Sequence, residues 1–536
     1  MKSSTPSSDD AASIKKPAAT GAIRAIWNEK RTFGWAVFSA LGGFLYGYNL
    51  GCFGGILVMP SFQRAFPSFT DSTLKGLATS MINLGALLGT LATGWSADKF
   101  GRRRSITLSC VWLILGTALQ TGARSPAYFY VGRFFTGIAV GALSSATPLY
   151  NSEISPTSIR GAVGSLFQFS IEVGTLIAFW IDFGCNYIGG TGETQTEAAW
   201  RIPLALQLVP CFILAVGILF APESPRWLVI SLRQRPEDSD EIQLEYLEIV
   251  GQHKFESEIA ALEKDPNEKA TGWMASLRTS WRQWAYLFGS AANRKRLLVG
   301  VMIMIFQQWC GINAIMFYAP QIFQGLGLSG TTVSLLATGV IGIVMLIATV
   351  PTVLYLDRVG RKPVLIYGAL FMGTCHAVIA GLSGKYEDSW ATHKAAGWVS
   401  CVFVWIFTVG FAATFGPVVW VLCSEIFPLR ARTKGLAVSV SVSWINAFIV
   451  GMATPTMLDN MRYGTYIFFA AWCFIGAAYC CTIPETAGRR LEDMDAAFGD
   501  TSNSSEEDKA RMARINKEIG YDKYQMGHLS DSKSEM

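Results

Sequence analysis

Asp98-Lys99-Phe100-Gly101-Arg102-Arg103 separates two long apolar runs, and Asp357-Arg358-Val359-Gly360-Arg361-Lys362 repeats it in the second half of the 536-residue chain. Each hexapeptide carries a Gly that permits a tight turn and charges that hydrocarbon does not tolerate. Further motifs recur in the same order. Ser152-Glu153-Ile154-Ser155-Pro156, with Arg160 four residues on, returns as Ser424-Glu425-Ile426-Phe427-Pro428 with Arg432. Pro222-Glu223-Ser224 returns as Pro484-Glu485-Thr486. Three ordered pairs mark two halves related by a repeat.

The runs around these motifs are of membrane-crossing length. Hydrophobic residues make up 51% of the chain and charged residues 15%, against about 25% charged in soluble proteins. A span needs about 20 mostly apolar residues. Such runs lie at 34–57, 75–97, 105–122, 127–148, 162–181, 202–221, 297–319, 333–356, 363–383, 397–423, 435–457 and 464–483. The expected fold is therefore all-α and embedded in a lipid bilayer, with twelve transmembrane helices in two six-helix halves. The chain divides into a polar N-terminal tail (1–33), a first half (34–221), a charged cytoplasmic linker (222–296), a second half (297–483) and a charged, Ser-rich C-terminal tail (484–536). Apolar spacing predicts short amphipathic helices within 241–264 and one near 509–519. The polar N-terminus lacks the short apolar stretch of a cleavable signal, so the first run is read as a helix that stays.

The net charge of +5 follows the membrane and is not a nucleic-acid signal. With the N-terminus inside, only Arg64, Lys75, Arg124, Arg201, Lys385, Lys394 and Arg462 of the 44 Lys and Arg residues fall outside. That is the positive-inside distribution. It puts both termini in the cytoplasm, and the plasma membrane is the expected location. The eleven cysteines lie mostly in apolar runs, and the four histidines are scattered. No metal spacing, cofactor motif or catalytic nucleophile–base arrangement is expected, and the chain is not read as an enzyme.

All six motif copies fall at cytoplasmic helix ends. Asp98, Arg102, Arg103, Glu153, Arg160, Glu223, Asp357, Arg361, Glu425, Arg432 and Glu485 are the charged positions. Carboxylates there can accept bidentate bonds from Arg, holding the inner ends of helices together while a path opens outward. That is a gate with two discrete packings. Topology control by positive charge is the simpler reading, but it requires neither Glu nor fixed spacing.

Polar residues inside spans usually face a cavity. At about 1.5 Å per residue, Gln168, Gln307 and Gln308 fall at mid-membrane depth. Asn313 lies further out, and Trp444 and Asn446 are at similar depth in the eleventh span. In repeat-built carriers the binding site lies between the halves near the midplane. Amides and aromatic faces suit a solute with many hydroxyls. Phe317, Tyr318 and Trp444 are candidates for solute contact or an outer gate, with plain packing as the alternative. Gly416-Pro417 sits inside the tenth span, where a missing backbone donor bends a helix.

Over roughly 34–500 the chain resembles the sugar porters of the major facilitator superfamily. The resemblance rests on Gly47-Tyr48-Asn49, Asp98 to Arg103, Gly132-Arg133, Pro148-Leu149-Tyr150 through Arg160-Gly161, and Pro222-Glu223-Ser224-Pro225-Arg226-Trp227-Leu228. It continues with Gln307-Gln308, Gly311-Ile312-Asn313, Gly416-Pro417, Trp420 and Pro484-Glu485-Thr486. The stretches between are similar to fungal members. The resemblance implies transport of a sugar by alternating access, a monosaccharide such as a hexose being expected. It also implies contact with that sugar by Gln168, Gln307, Gln308, Asn313 and Trp420.

Two positions depart from the family pattern. Met345 stands where many members carry Asn. Ala447 takes another common Asn position, with Asn446 one earlier. In proton-coupled members the position of Asn49 is usually Asp, beside the Arg matching Arg133. Asn cannot titrate, which favours facilitated diffusion. Glu172, one turn beyond Gln168, is read as the lone carboxylate deep in a span. It either replaces the missing Asp in a proton symport or pairs permanently with Arg133. A membrane sugar sensor is the alternative from another class, for which the C-terminal tail is short.

Overall fold

A chain in hydrocarbon satisfies its backbone N–H and C=O groups within each segment, so the apolar runs become helices. The computed structural model describes residues 29–155, 159–222, 287–328, 330–428, 432–486 and 503–521, together with part of 246–259 and positions 27, 498 and 499. The described residues form helices and short 3-10 turns, with no strand among them.

In the first half these are α1 (Lys30–Ser39), α2 (Leu41–Ile56), α3 (Ser72–Phe100), α4 (Arg102–Thr121), α5 (Pro126–Ile154), α6 (Arg160–Cys185), α7 (Ala198–Leu206) and α8 (Leu208–Gly217). The second half holds α9 (Ala291–Trp309), α10 (Ile312–Gly325), α11 (Thr331–Val359), α12 (Arg361–Tyr386), α13 (Lys394–Ala413), α14 (Phe415–Glu425), α15 (Arg432–Asn460) and α16 (Gly464–Cys480); α17 (Asn503–Glu518) follows in the tail. Among the described residues, nine segments are long and apolar enough to cross a membrane. The other three, α4, α5 and α16, occupy the third, fourth and twelfth expected spans. The first of them begins on Arg102-Arg103-Arg104 and the second carries Arg133, Asn151 and Glu153, which lowers their mean hydropathy.

Four expected spans are each built from two helices. The tenth breaks at Thr414 (φ −132°, ψ −85°), three residues before Pro417, so the expected bend lies at the start of the Gly-Pro segment. The seventh breaks at Cys310-Gly311 and is kinked again at Tyr318, two residues before Pro320.

Close backbone approach joins the helices of each half. Backbone atoms of Ile82, Phe134 and Ile138 lie so near Gly85, Gly89 and Gly137 that a Cβ has no room between α3 and α5. Small residues are what allow such packing where lipid supplies no hydrophobic drive. The two motif glycines do another job: Gly101 (φ 85°, ψ 161°) and Gly360 (φ 92°, ψ 159°) turn α3 into α4 and α11 into α12 through a conformation that L side chains avoid.

The halves touch at the ends that the charge distribution assigns to the outside. Gly54 of α2 sits under the Phe317 carbonyl, which a Cβ would approach to 2.7 Å. Gly451 of α15 is as close to Ser80 of α3, and Ser72 donates a hydrogen bond to Asp459. The α6 and α11 helices meet where Gly339 faces Trp180 and Gly342 faces Leu176. In the tail, α17 packs Ile515 against Phe255 and Ile259 of the linker. Arg514 bonds Glu258 at 2.5 Å and Lys254 bonds Glu518 at 2.7 Å; the Lys254 ammonium holds the Glu518 carboxyl below the usual carboxylate range.

Candidate substrate site

The break in the seventh span sets two amides at the end of α9. Gln307 donates to the carbonyl of Phe415, the first residue after the break in the tenth span, at 3.0 Å. Gln308 donates to Ser443 Oγ at 2.7 Å and accepts from Asn313. Trp309 Nε1 donates to Asn446 Oδ1 at 2.7 Å. Four of the expected polar residues, Gln307, Gln308, Asn313 and Asn446, thus occupy one neighbourhood on α9, α10 and α15. Asn446 is engaged by Trp309 and by the carbonyl of Val442, so it holds α9 to α15. Trp420 is half-buried on the second half's core. Met345 and Ala447, at the two departures from the family pattern, are buried.

The first half supplies the facing wall. Gln168 donates to Glu172 Oε1 at 2.8 Å across one turn of α6. Glu172 is fully buried and within electrostatic reach of the Tyr46 hydroxyl. Tyr46 packs on Trp444 of the opposite half, ring centroids 5.5 Å apart. Trp444 follows Ser443, the partner of Gln308, along α15. Three buried polar atoms in this layer have no hydrogen-bond partner: Glu172 Oε2, Gln307 Oε1 and Trp444 Nε1. They offer two acceptors and one donor, the inventory a hydroxylated solute uses. Gly164 continues the face of α6 that carries Gln168 and Glu172, and a Cβ there would meet nothing within 4 Å.

Phe317 and Tyr318 are fully buried in the outer contact, and Tyr318 donates to the carbonyl of Gly451 at 2.7 Å. They belong to the outer closure in this arrangement. Asn49 donates to its own helix at Leu45. Arg133 donates to the carbonyl of Thr79 at 3.1 Å and lies 4.2 Å above the Phe53 ring. The pairing of Glu172 with Arg133, one of the two alternatives for that carboxylate, is not made: Thr79 and Phe53 hold the guanidinium, and Glu172 bonds Gln168 through one oxygen only.

A further correction concerns the count of buried carboxylates. Asp182 is also fully buried, because α6 runs to Cys185, beyond the expected end at 181. The aromatic residues Trp180 and Phe183 on either side are the sequence signal for that extension. Tyr46 and Ser443 also escaped the sequence reading, since neither residue type stands out in an apolar run.

At the helix ends that carry the repeated motifs, Arg102 Nε bonds Glu153 at 2.8 Å, and Arg361, its repeat counterpart, bonds Glu425 at 2.8 Å. Arg103 donates to the carbonyl of Ala221 and Lys362 to that of Cys481. Glu485 accepts from the backbone N–H groups of Arg361 and Lys362. Each of these contacts lies within one half. Glu223 is outside the described residues, as are the side chains of Asp98, Arg160, Asp357 and Arg432.

A family model described as "Sugar (and other) transporter" matches residues 35–498. The high-affinity glucose transporter 1 of Candida albicans is 31% identical over 478 residues, 86% of this chain and 84% of its own length. The galactose-proton symporter of Escherichia coli is 32% identical over 473 residues, covering 87% and 94%. Among solved structures, the E. coli proton:xylose symporter XylE bound to 6-bromo-6-deoxy-D-glucose is similar with a TM-score of 0.67 and 26% identity, over 88% of this chain and 100% of the other.

Proposed function

The chain belongs to the sugar (and other) transporter family, and from that premise we propose that it moves a monosaccharide of hexose size by alternating access. It is a multi-pass membrane transporter of the major facilitator type, not an enzyme. Glucose and galactose carriers among its relatives support a hexose. The observation that carries the reading is the layer of unpartnered buried polar atoms on Glu172, Gln307 and Trp444, flanking the Tyr46–Trp444 contact. Burying such groups without partners costs roughly 1–3 kcal/mol each, a cost that a bound sugar's hydroxyls would offset. Gln168, Gln308, Asn313 and Trp420 complete the site. The intra-half pairs Arg102–Glu153 and Arg361–Glu425 keep the inner end of each half rigid as the halves rock, which is how the charged motifs serve the gate. The Lys and Arg distribution supports cytoplasmic termini.

For energy coupling, facilitated diffusion is the reading that Asn49 favours, since a non-titratable amide bonded to its own helix stands where a proton carrier is expected. The second reading is proton symport through Glu172, favoured by its buried, unpartnered Oε2. Counterflow of labelled D-glucose into proteoliposomes containing the purified protein tests the transport reading. Saturable exchange with unlabelled D-glucose is expected. Labelled pentoses, polyols and disaccharides run in parallel define the class, and exchange of none of these sugars would overturn it.

A further inference from the structure

Asp182 lies in a corner made for it on the outer part of α6. A Cβ on Gly55 of α2 would overlap its carboxylate, so the absence of a side chain there creates the niche. Cys52 Sγ is 3.7 Å from Oδ1, and Oδ2 has no partner. The titratable groups facing the carboxyl are Cys52 and Tyr48 from α2 and Cys185 from α6 itself. The Tyr48 hydroxyl is committed to the carbonyl of Pro203 on α7. Arg133 of α5 reaches Cys52 but rests on Phe53. Among the described residues, no cation is paired with Asp182.

The corner is sealed by the other half. One turn beyond Asp182, Asn186 donates to Thr332 at the start of α11, and Gln195 locks Asn186 by two further bonds. Beside Gly55, Gly54 is covered by the Phe317 carbonyl of α10. Both contacts cross between the halves, so separating the outer ends lets water reach the corner. An ionised carboxylate is readily hydrated when the corner is wet. Sealed, it would be left with one weak thiol contact and no counter-charge, which is costly in an apolar enclosure.

We propose that Asp182 takes up a proton from the external medium as a condition of closing the outer side. The proton passes from a hydronium ion to a carboxylate oxygen, leaving water and a neutral carboxyl that fits the sealed niche. It returns to water when the outer ends part. This inference rests on the alternating-access reading, but it requires no net proton movement and is separate from the role of Glu172.

The test uses the full chain in proteoliposomes with internal pH fixed and external pH varied. Wild-type D-glucose counterflow should rise several-fold as the external side is acidified. Asp182→Asn, isosteric and permanently neutral, should exchange at about the acid-side rate at every external pH. A second measurement does not depend on the solute: infrared difference spectra of the ¹³C-aspartate-labelled protein between acid and alkaline buffer should contain a protonated-carboxyl band that Asp182→Asn lacks. Loss of that band together with a flat counterflow profile supports the proposal. An unchanged pH profile in Asp182→Asn, or a spectrum identical to wild type, overturns it. Absence of counterflow in wild type with the band still lost in Asp182→Asn would overturn the choice of solute alone.

Discussion

Gln307 and Gln308 are neighbours in sequence with different duties, and their hydrogen bonds separate them. Gln307 leaves its buried Oε1 free beside the break in α13–α14, whereas both ends of the Gln308 amide are taken by Ser443 and Asn313. Gln307→Ala should therefore remove a solute contact while breaking one internal bond, that to the Phe415 carbonyl, against two for Gln308. The expected loss is about 1–3 kcal/mol, one to two decades in apparent affinity, read from counterflow kinetics at unchanged protein abundance. Gln308→Ala breaks an internal network, so its signature is a lowered thermal unfolding temperature in detergent as well as weaker binding. Equal and purely kinetic effects of the two substitutions would contradict this division. The amides were legible from the sequence because polar side chains in apolar runs are conspicuous. Their division of labour was not, since it depends on which atoms Ser443 and Phe415 reach across the fold.

At the scale of the elements, the repeat gives a controlled comparison. Arg102–Glu153 and Arg361–Glu425 are equivalent pairs, but the first has side chains 31% and 40% exposed and the second 7% and 27%. A pair that open to solvent contributes at most about 1 kcal/mol, whereas removing one partner of an enclosed pair strands the other charge at a cost of roughly 3–5 kcal/mol. Arg361→Ala should thus lower the unfolding temperature clearly and Arg102→Ala barely, as measured by differential scanning fluorimetry on the purified protein. Equal shifts would mean that Glu485, which caps the start of α12, dominates the second cluster. The helices themselves follow from hydropathy, and the paired Gly101 and Gly360 turns follow from the repeated motif. The exact ends do not: aromatic residues extend α6 past the purely apolar run, and that extension brings Asp182 inside. The break at Thr414 fell earlier than Gly416-Pro417 because a proline perturbs the helical turn that precedes it.

For the whole molecule, the decisive quantity is whether the solute gradient can exceed equilibrium. Phe317 on Gly54 and Ser80 on Gly451 join the halves at the ends that the charge distribution assigns to the outside. A carrier with these contacts made must part them to load solute from outside, whether or not a proton travels along. Coupling requires a group that is charged on one side of the cycle and neutral on the other, with access to both. Asn49 cannot be that group, and Asp182 communicates with the outer side. Glu172 is placed for it, on the central face of α6 against Tyr46 and the opposite half. With facilitation, D-glucose should equilibrate, an uncoupler should leave initial uptake nearly unchanged, and Glu172→Gln should keep equilibrative exchange because the amide preserves both shape and hydrogen bonding to Gln168. External acidity should still speed uptake through Asp182 without producing accumulation. Several-fold accumulation in proteoliposomes under an imposed inward proton gradient, abolished by uncoupler and by Glu172→Gln but retained in Asp182→Asn, would instead make the protein a symporter with its proton-carrying carboxylate moved from α2 to α6.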